Sequence, residues 1–413
     1  MSVDSERKAE ILEAAATLFA SSGLRTSLQQ IADACGILAG SLYHHFESKE
    51  EIFIALVERY QAELDDVAVK AVEEGANPRA PDDRIVALGT AIAECAVRHR
   101  AALLLTLYEP SASASEAMVR LARHTPDAIN AAMLAMLKTA RSSGYLRREV
   151  DLALLADRIC QGMLHVGIGV SHRTRGGERM PAIKCRMLLD GLAVRPPDDA
   201  RLDRSKARRA ADEAIESWDA DVADMDDKAA RIRAVARSEF ARRGVDLPTI
   251  RDVAAAAGMS TGAVYRLIES KDNLLPSILW PYVAKVAEGW NRIVSSQSTP
   301  VEKLDALLWL NINVVHRFAE EHRIQSLGIQ LAPPKSPNLT WTFPAQLRQL
   351  KGLVSEGLRA RQLQIEKGAS LDMVARCVFG LIWTPENIVR EEGARDALHF
   401  DRDTLLRGAA VRS

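Results

Sequence analysis

An internal repeat constrains this chain more than any other feature of its sequence. Ile11, Phe19 and Gly23 match Ile232, Phe240 and Gly244 at a constant separation of 221 residues. One extra residue before Pro248 moves the separation to 222, and Ser27, Ala32, Gly36, Gly40 and Tyr43 then pair with Thr249, Ala254, Gly258, Gly262 and Tyr265. The run Glu47-Ser48-Lys49 returns unchanged as Glu269-Ser270-Lys271. The similarity thins after this block and comes back near the end of each half, where Leu188-Leu189-Asp190-Gly191-Leu192-Ala193-Val194 resembles Leu405-Leu406-Arg407-Gly408-Ala409-Ala410-Val411. Each half is therefore about one complete unit, and 413 residues are in any case too many for a single core. Between the units, Pro196-Pro197 opens a stretch of alternating charge from Asp198 to Asp227 with Trp218 as its only aromatic residue, a composition that marks a partly helical linker.

The punctuation inside each repeat is helical. Ile11, Ala15, Leu18 and Phe19 recur at helical spacing and Gly23 is the natural stop. Ser27-Leu28-Gln29-Gln30 reads as a capping box, in which the serine oxygen and the glutamine three residues on satisfy free amides at a helix start. That short helix ends at Cys35-Gly36, a third begins around Ala39, and Ser48-Lys49-Glu50-Glu51 opens a longer fourth through Ile52, Leu56 and Tyr60. In the second half Thr249 with Asp252, Gly258, Ser260 and Ser270 occupy the same places. No segment calls for a strand.

Gly40-Ser41-Leu42-Tyr43-His44-His45-Phe46-Glu47-Ser48-Lys49 resembles the signature of TetR-family regulators, and Gly262-Ala263-Val264-Tyr265-Arg266-Leu267-Ile268-Glu269-Ser270-Lys271 is similar apart from Leu267-Ile268 in place of the His-Phe pair. The resemblance covers roughly fifty residues of each half. It implies an all-α tandem protein with a first helix-turn-helix head at 1–48, a first helical sensor and pairing domain at 49–195, a linker at 196–226, a second head at 227–270 and a second sensor and pairing domain at 271–413. Members of the family generally work as homodimers, so two heads on one polypeptide imply an internal pseudo-dimer, with further self-association open; separate domains strung like beads are the alternative.

The resemblance places the helix from Ala39 to His45, and its counterpart from Thr261 to Leu267, in the major groove of double-stranded DNA. Ala39, Gly40 and Ser41, like Thr261 and Gly262, are small enough to approach base edges, while Tyr43, Tyr265, His44 and its replacement Arg266 reach phosphates. Lys49 and Lys271 would add their charge to the dipoles of the long helices, and Thr26, Ser27, Thr249 and Arg251 would contact the backbone from the second helices. The plainer alternative makes the tyrosines packing residues and the lysines solvated ones. Leu42, Phe46, Val264 and Ile268 are packing positions.

The two heads are unlike. Leu38 stands where the second copy has the capping Ser260, so the first reading helix lacks a side-chain cap and should fray. Through residue 53 the first head has more acidic than basic residues, whereas Arg231, Arg233, Arg237, Arg242, Arg243, Arg251 and Arg266 give the second a basic complement suited to phosphate. A net charge of −1 means that any DNA affinity comes from such local patches.

Sensor regions show little motif content. Trp290, Trp309, Trp341, Phe343, Phe379 and Trp383 in the second half, and Met133, Met136, Met163 and His165 in the first, are either plain core or the lining of an apolar effector pocket. Tandem forms of the family resemble regulators of lipid metabolism, which implies a lipid-like effector. Five scattered cysteines without a C-x-x-C pair, and histidines without ligand spacing, suggest neither disulfide framework nor metal site. No cofactor is implied, and no phosphate-binding glycine loop, nucleophile elbow or HExxH motif points to an enzyme. Hydrophobic residues make up 47% and charged residues 26%, no stretch approaches a membrane span and the polar N-terminus is no secretory signal, so a cytoplasmic protein with no membrane partner is expected. The leading functional expectation is a ligand-responsive repressor reading a non-palindromic operator. The alternative is a small-molecule-binding or protein-interaction scaffold with degenerate heads.

Overall fold

The computed structural model describes residues 3–22, 26–73, 80–110, 114–168, 176–218, 228–245, 247–268, 270–331, 343–366 and 368–412. The first half is built from α1 (Val3–Ser22), α2 (Leu28–Ala34), α3 (Ala39–Tyr43), α4 (Lys49–Glu73), α5 (Pro81–Arg98), α6 (Arg100–Thr106), α7 (Glu116–Ala122), α8 (Asp127–Ser142), α9 (Leu152–Ile168) and α10 (Met180–Asp190). Two helices follow in the connecting segment, α11 (Asp199–Asp203) and α12 (Lys206–Ser217). The second half comprises α13 (Lys228–Arg243), α14 (Ile250–Ala256), α15 (Thr261–Ile268), α16 (Lys271–Ser295), α17 (Pro300–Arg317), α18 (Ala319–Leu331), α19 (Phe343–Arg359), α20 (Leu371–Leu381), α21 (Glu386–Glu392) and α22 (Ala394–Asp401). No strand occurs among the described residues, only two isolated bridges, Leu146 with Ala410 and Ala193 with Leu363.

The repeat is visible in the helices themselves. α4 and α16 are each 25 residues long, and α5 and α17 each 18. The capping boxes at Ser27 with Gln30 and at Thr249 with Asp252 both close reciprocally, so the same local chemistry starts the second helix of each head. At α4 the pattern shifts by one residue: Ser48 Oγ accepts from the Glu51 amide, but the Glu51 carboxylate accepts from the Glu47 amide. Ile11, Phe19, Ile31, Leu42 and Ile52 are buried in the first head, and Ile232, Phe240, Val253 and Val264 in the second. The expected stop at Gly23 lies outside the described residues.

The connecting segment is not a free tether. The apolar face of α12, with Ala207, Ala211, Ala214 and Ile215 buried, packs on α16 and α17 of the second half, and Trp309 Nε1 donates to Asp212 at 2.7 Å under the Arg208 guanidinium. Arg402, 1% exposed, grips Asp305 with two bonds of 2.7 and 2.9 Å and reaches Asp203 of α11 at 2.7 Å. The alternating charges of the linker thus answer specific partners, and its apolar positions add a helix to the second core.

The two halves meet at their ends, and the meeting is reciprocal. Leu192 and Ala193 donate their amides to the carbonyls of Leu405 and Leu406 at 2.8 and 3.0 Å, while Ala409 and Ala410 donate to Leu188 and Leu189 at 3.0 and 2.8 Å. Val194 donates to Gln362 and Val411 to Tyr145, Gln364 to Leu192 and Arg147 to Ala409, all within 2.8–2.9 Å. Every bond has a mate displaced by 217 residues, the pattern of an isologous contact. The seam is not purely helical: Gly191, at φ 74° and ψ 157°, turns the end of the first half out of helix, as Gly408 does at φ 87° in the second, and the residues after each glycine carry the exchange.

Candidate functional site

The heads place their reading helices on the surface. Tyr43 is 53% and Tyr265 50% exposed, while Leu42 and Val264 behind them are fully buried. Ala39, Gly40 and Ser41 lie along α3, and Thr261, Gly262 and Arg266 along α15; nothing lies within 4 Å of where a side chain at Gly40 or Gly262 would begin, so both glycines leave open space toward solvent. Leu38 gives α3 no side-chain cap, whereas Ser260 Oγ accepts from Ala263; both helices start at equivalent positions, but α3 has five residues and ends at Tyr43, short of His45, while α15 runs for eight. His44 therefore sits in the turn after α3, exposed.

Thr26 is buried, and the Ser27 and Thr249 oxygens are spent on their capping boxes. Both lysines have internal roles. Lys49 Nζ lies 5.6 and 5.3 Å above the Phe19 and Phe53 rings, and burial pushes its pKa down. Lys271 Nζ donates to the Pro248 carbonyl at 2.6 Å and lies 5.7 Å from the Phe240 ring. Each ammonium ties its long helix to the first helix of its head, a role that neither phosphate contact nor simple solvation anticipates. The basic complement of the second head is also partly spoken for: Arg237 pairs with Glu320 and Glu321, Arg242 with Glu109 and Glu239, and Arg243 with Glu239. Arg251 and Arg266 are exposed on α14 and α15.

Away from the heads, a cavity of about 400 Å³ opens where the two halves touch. Its aromatic wall comes from Phe343, Phe379 and Trp383 of the second half; Phe343 meets Phe379 edge-on at 4.9 Å, and His322 stacks on Trp383 at 4.5 Å. Burial lowers the His322 pKa to about 4, so its ring is neutral at pH 7. The first half contributes Arg158, Gln161, His165 and Lys184. Arg158, 3% exposed, crosses between the halves to donate to the Trp383 carbonyl at 2.9 Å and to the Leu381 carbonyl, with Asp401 3.4 Å away. Gln161 and Asp157 both bond Asn387 across the same seam.

Of the aromatic, methionine and histidine residues proposed from sequence, the cavity gathers Phe343, Phe379, Trp383 and His165. Trp290 is completely buried behind Phe379 and donates to Asn311 at 3.2 Å, and Trp309 is held by the linker helix. Met133, Met136 and Met163 belong to the core of the first half, and Trp341 lies outside the described residues. Sequence reading missed the polar contributors Arg158, Lys184 and Gln346. A signal for Lys184 was present: it stands between Met180 and Leu188 on the apolar stripe of α10, where a lysine has no solvent to reach.

Among the described residues, Glu63, Cys95 and His99 converge as metal-ligating types. His99 Nε2 lies 2.6 Å from Glu63, which also pairs with Arg98, and burial pushes the Cys95 thiol up to about 12, so the trio reads as a carboxylate already engaged by its neighbours beside a protonated thiol.

Two helix-turn-helix heads on one all-helical chain define a tandem DNA-binding regulator of transcription. The chain belongs to the tetR family of bacterial regulatory proteins, whose model matches residues 11–56 and 232–278. It is 33% identical over 150 residues, 36% of this chain and 74% of the relative, to the HTH-type transcriptional repressor KstR2 of Mycobacterium tuberculosis strain H37Rv. The KstR2 repressor of Rhodococcus jostii strain RHA1 is 45% identical over 83 residues, 20% of this chain and 41% of that one. The solved structure of the ketosteroid transcriptional regulator KstR2 of Mycobacterium tuberculosis aligns over 46% of this chain and 97% of its own, at 19% identity and a TM-score of 0.38. No helix among the described residues is long and apolar enough to cross a membrane.

Proposed function

We propose that the chain is a ligand-responsive repressor whose halves form an internal pseudo-dimer, each unlike head reading one half of a non-palindromic operator. The reciprocal backbone exchange between 188–194 and 405–411 carries this reading, because it has the form a two-fold dimer interface takes when its subunits become one polypeptide. Similarity to proteins named as repressors supports the direction of regulation. Tyr43, Tyr265, Arg251 and Arg266 are the exposed contacts through which the heads would meet DNA.

Ligand response has a short route to the second head. Leu107 lines the cavity and its carbonyl accepts from Arg323, another lining residue, at 2.9 Å. The next residue, Tyr108, presses on Gly244 at the end of α13, and the Glu109 amide donates to the Arg242 carbonyl at 2.9 Å. A ligand that displaces Arg323 or Leu107 therefore pulls on the second head, and its differential affinity for the two arrangements sets the size of the response.

A scaffold that no longer holds DNA is the competing reading, and the uncapped five-residue α3 in an acidic head favours it. Mobility shift with the DNA upstream of the chain's own gene separates the two. Retardation by one chain at nanomolar concentration supports the regulator, and none at low salt leaves the scaffold.

A further inference from the structure

The cavity between the halves contains a lysine amine with no counter-charge, and burial pushes its pKa down. Lys184 is 5% exposed, lines the cavity, and has no hydrogen-bond or ion-pair partner among the described residues. A side chain beginning at Gly380 would stand 3.0 Å from its Nζ, so the bare glycine of α20 is what admits the lysine head from the other half. The Gln346 side chain is 5% exposed and lines the same cavity, and its amide nitrogen is buried with no acceptor among the described residues. The other cations facing the space are occupied: Arg158 by two carbonyls and Asp401, Arg376 by Asp372 at 2.8 Å, Arg323 by the Leu107 carbonyl. Glu386 is the acid in the lining, and the thiols of Cys185 and Cys377 near Lys184 are held protonated by burial.

A buried amine that lacks a partner costs stability, and a ligand that supplies an acceptor relieves that cost. The free space beside the amine is walled by Phe343, Phe379, Trp383 and Leu327. Resting on the ligand-responsive reading above, we propose that the cavity takes an amphipathic organic carboxylate, its acid group seated on Lys184 of the first half and its apolar body against the aromatic wall of the second. A carboxylate supplies the counter-charge that Lys184 lacks, and a charge-assisted bond in a dry site is among the stronger ones available. Because head and tail of the ligand are held by different halves, its occupancy fastens the two units to each other across the seam.

Dodecanoate and dodecanol make the test, since they share an apolar chain and differ in the acid. Calorimetric titration of the full chain is expected to show dodecanoate binding about tenfold or more tighter than dodecanol. Lys184→Met is expected to erase that preference while dodecanol binding stays within about twofold, and Lys184→Arg to retain part of it. The methionine variant should also melt at a higher temperature without ligand, because it removes an unpaired buried polar group, which confirms that it folds. Equal binding of the two probes to the native chain, no binding of either, or a preference that survives Lys184→Met would each overturn the proposal. Mobility shift without any probe is run alongside: retained DNA binding with a failed preference sinks the carboxylate seat alone, whereas lost DNA binding sinks the regulator itself.

Discussion

Gly191 and Gly408 lie back to back across the seam between the halves. A side chain started on Gly191 would come within 2.5 Å of the Arg407 carbonyl carbon, and one started on Gly408 within 2.4 Å of the Asp190 carbonyl carbon. Gly191 also holds φ 74° with ψ 157°, a region of backbone space that only glycine occupies readily. Alanine at Gly191 must therefore displace the backbone of the other half, and a cost of roughly 3 kcal/mol or more is expected from strain and clash combined. Gly144 is the control, for its φ of 81° is equally left-handed but nothing lies within 4 Å of its missing side chain. Gly144→Ala should cost only about 1–2 kcal/mol. Equal losses of melting temperature in the two variants would remove the seam from the account.

The heads make a second distinction testable. Arg266 is exposed and joins no ion pair among the described residues, so Arg266→Ala should leave the melting temperature nearly unchanged and lower the log-log salt slope of DNA binding by about one. Lys271→Met should do the reverse, losing about 1 kcal/mol of stability with the Pro248 bond and changing the slope little. Swapped outcomes would return Lys271 to the phosphate-clamping role that its place in the motif suggests.

Motif and geometry part company at such residues for a physical reason. The repeat, the capping boxes, the uncapped α3 and the all-helical class were legible because each follows from spacing and local hydrogen bonding. Lys49 and Lys271 occupy motif positions, but their tips turn back onto Phe19, Phe53 and Phe240, and no local pattern reports where a long side chain ends. The cavity was half legible. Its aromatic wall is contained in one half, whereas Arg158 and Lys184 reach it from the other, and that pairing of halves is not written in local spacing.

The linker is expected to respond to acid. Burial alone would push the Asp199 carboxyl up, but its bond to Arg407 and the charges of Arg407, Arg402 and His399 hold it below its ordinary value. A depressed carboxylate contributes stability that is present above its unfolded value, about 3.9, and lost as pH falls through the folded one. Melting temperature should therefore fall more steeply below about pH 4 in the native chain than in Asp199→Asn. Asp305 has the opposite sign, since burial raises its pKa, but it is common to both proteins and drops out of the comparison. Parallel acid limbs for the two proteins would show that the α11 contact contributes nothing.

The most direct measurement is footprinting of the chain on its own promoter, with each half-site scrambled in turn and chain stoichiometry read in the same complex. The α3 surface offers Ala39, Gly40 and Ser41, and α15 offers Thr261, Gly262 and Arg266, so the half-sites should differ and lie about one helical turn or a small multiple apart. One chain per operator is expected, with scrambling of either half-site weakening binding and the α15 half-site supplying more of the salt-sensitive affinity. A perfect palindrome held by two chains, each through its first head alone, would contradict the internal pseudo-dimer.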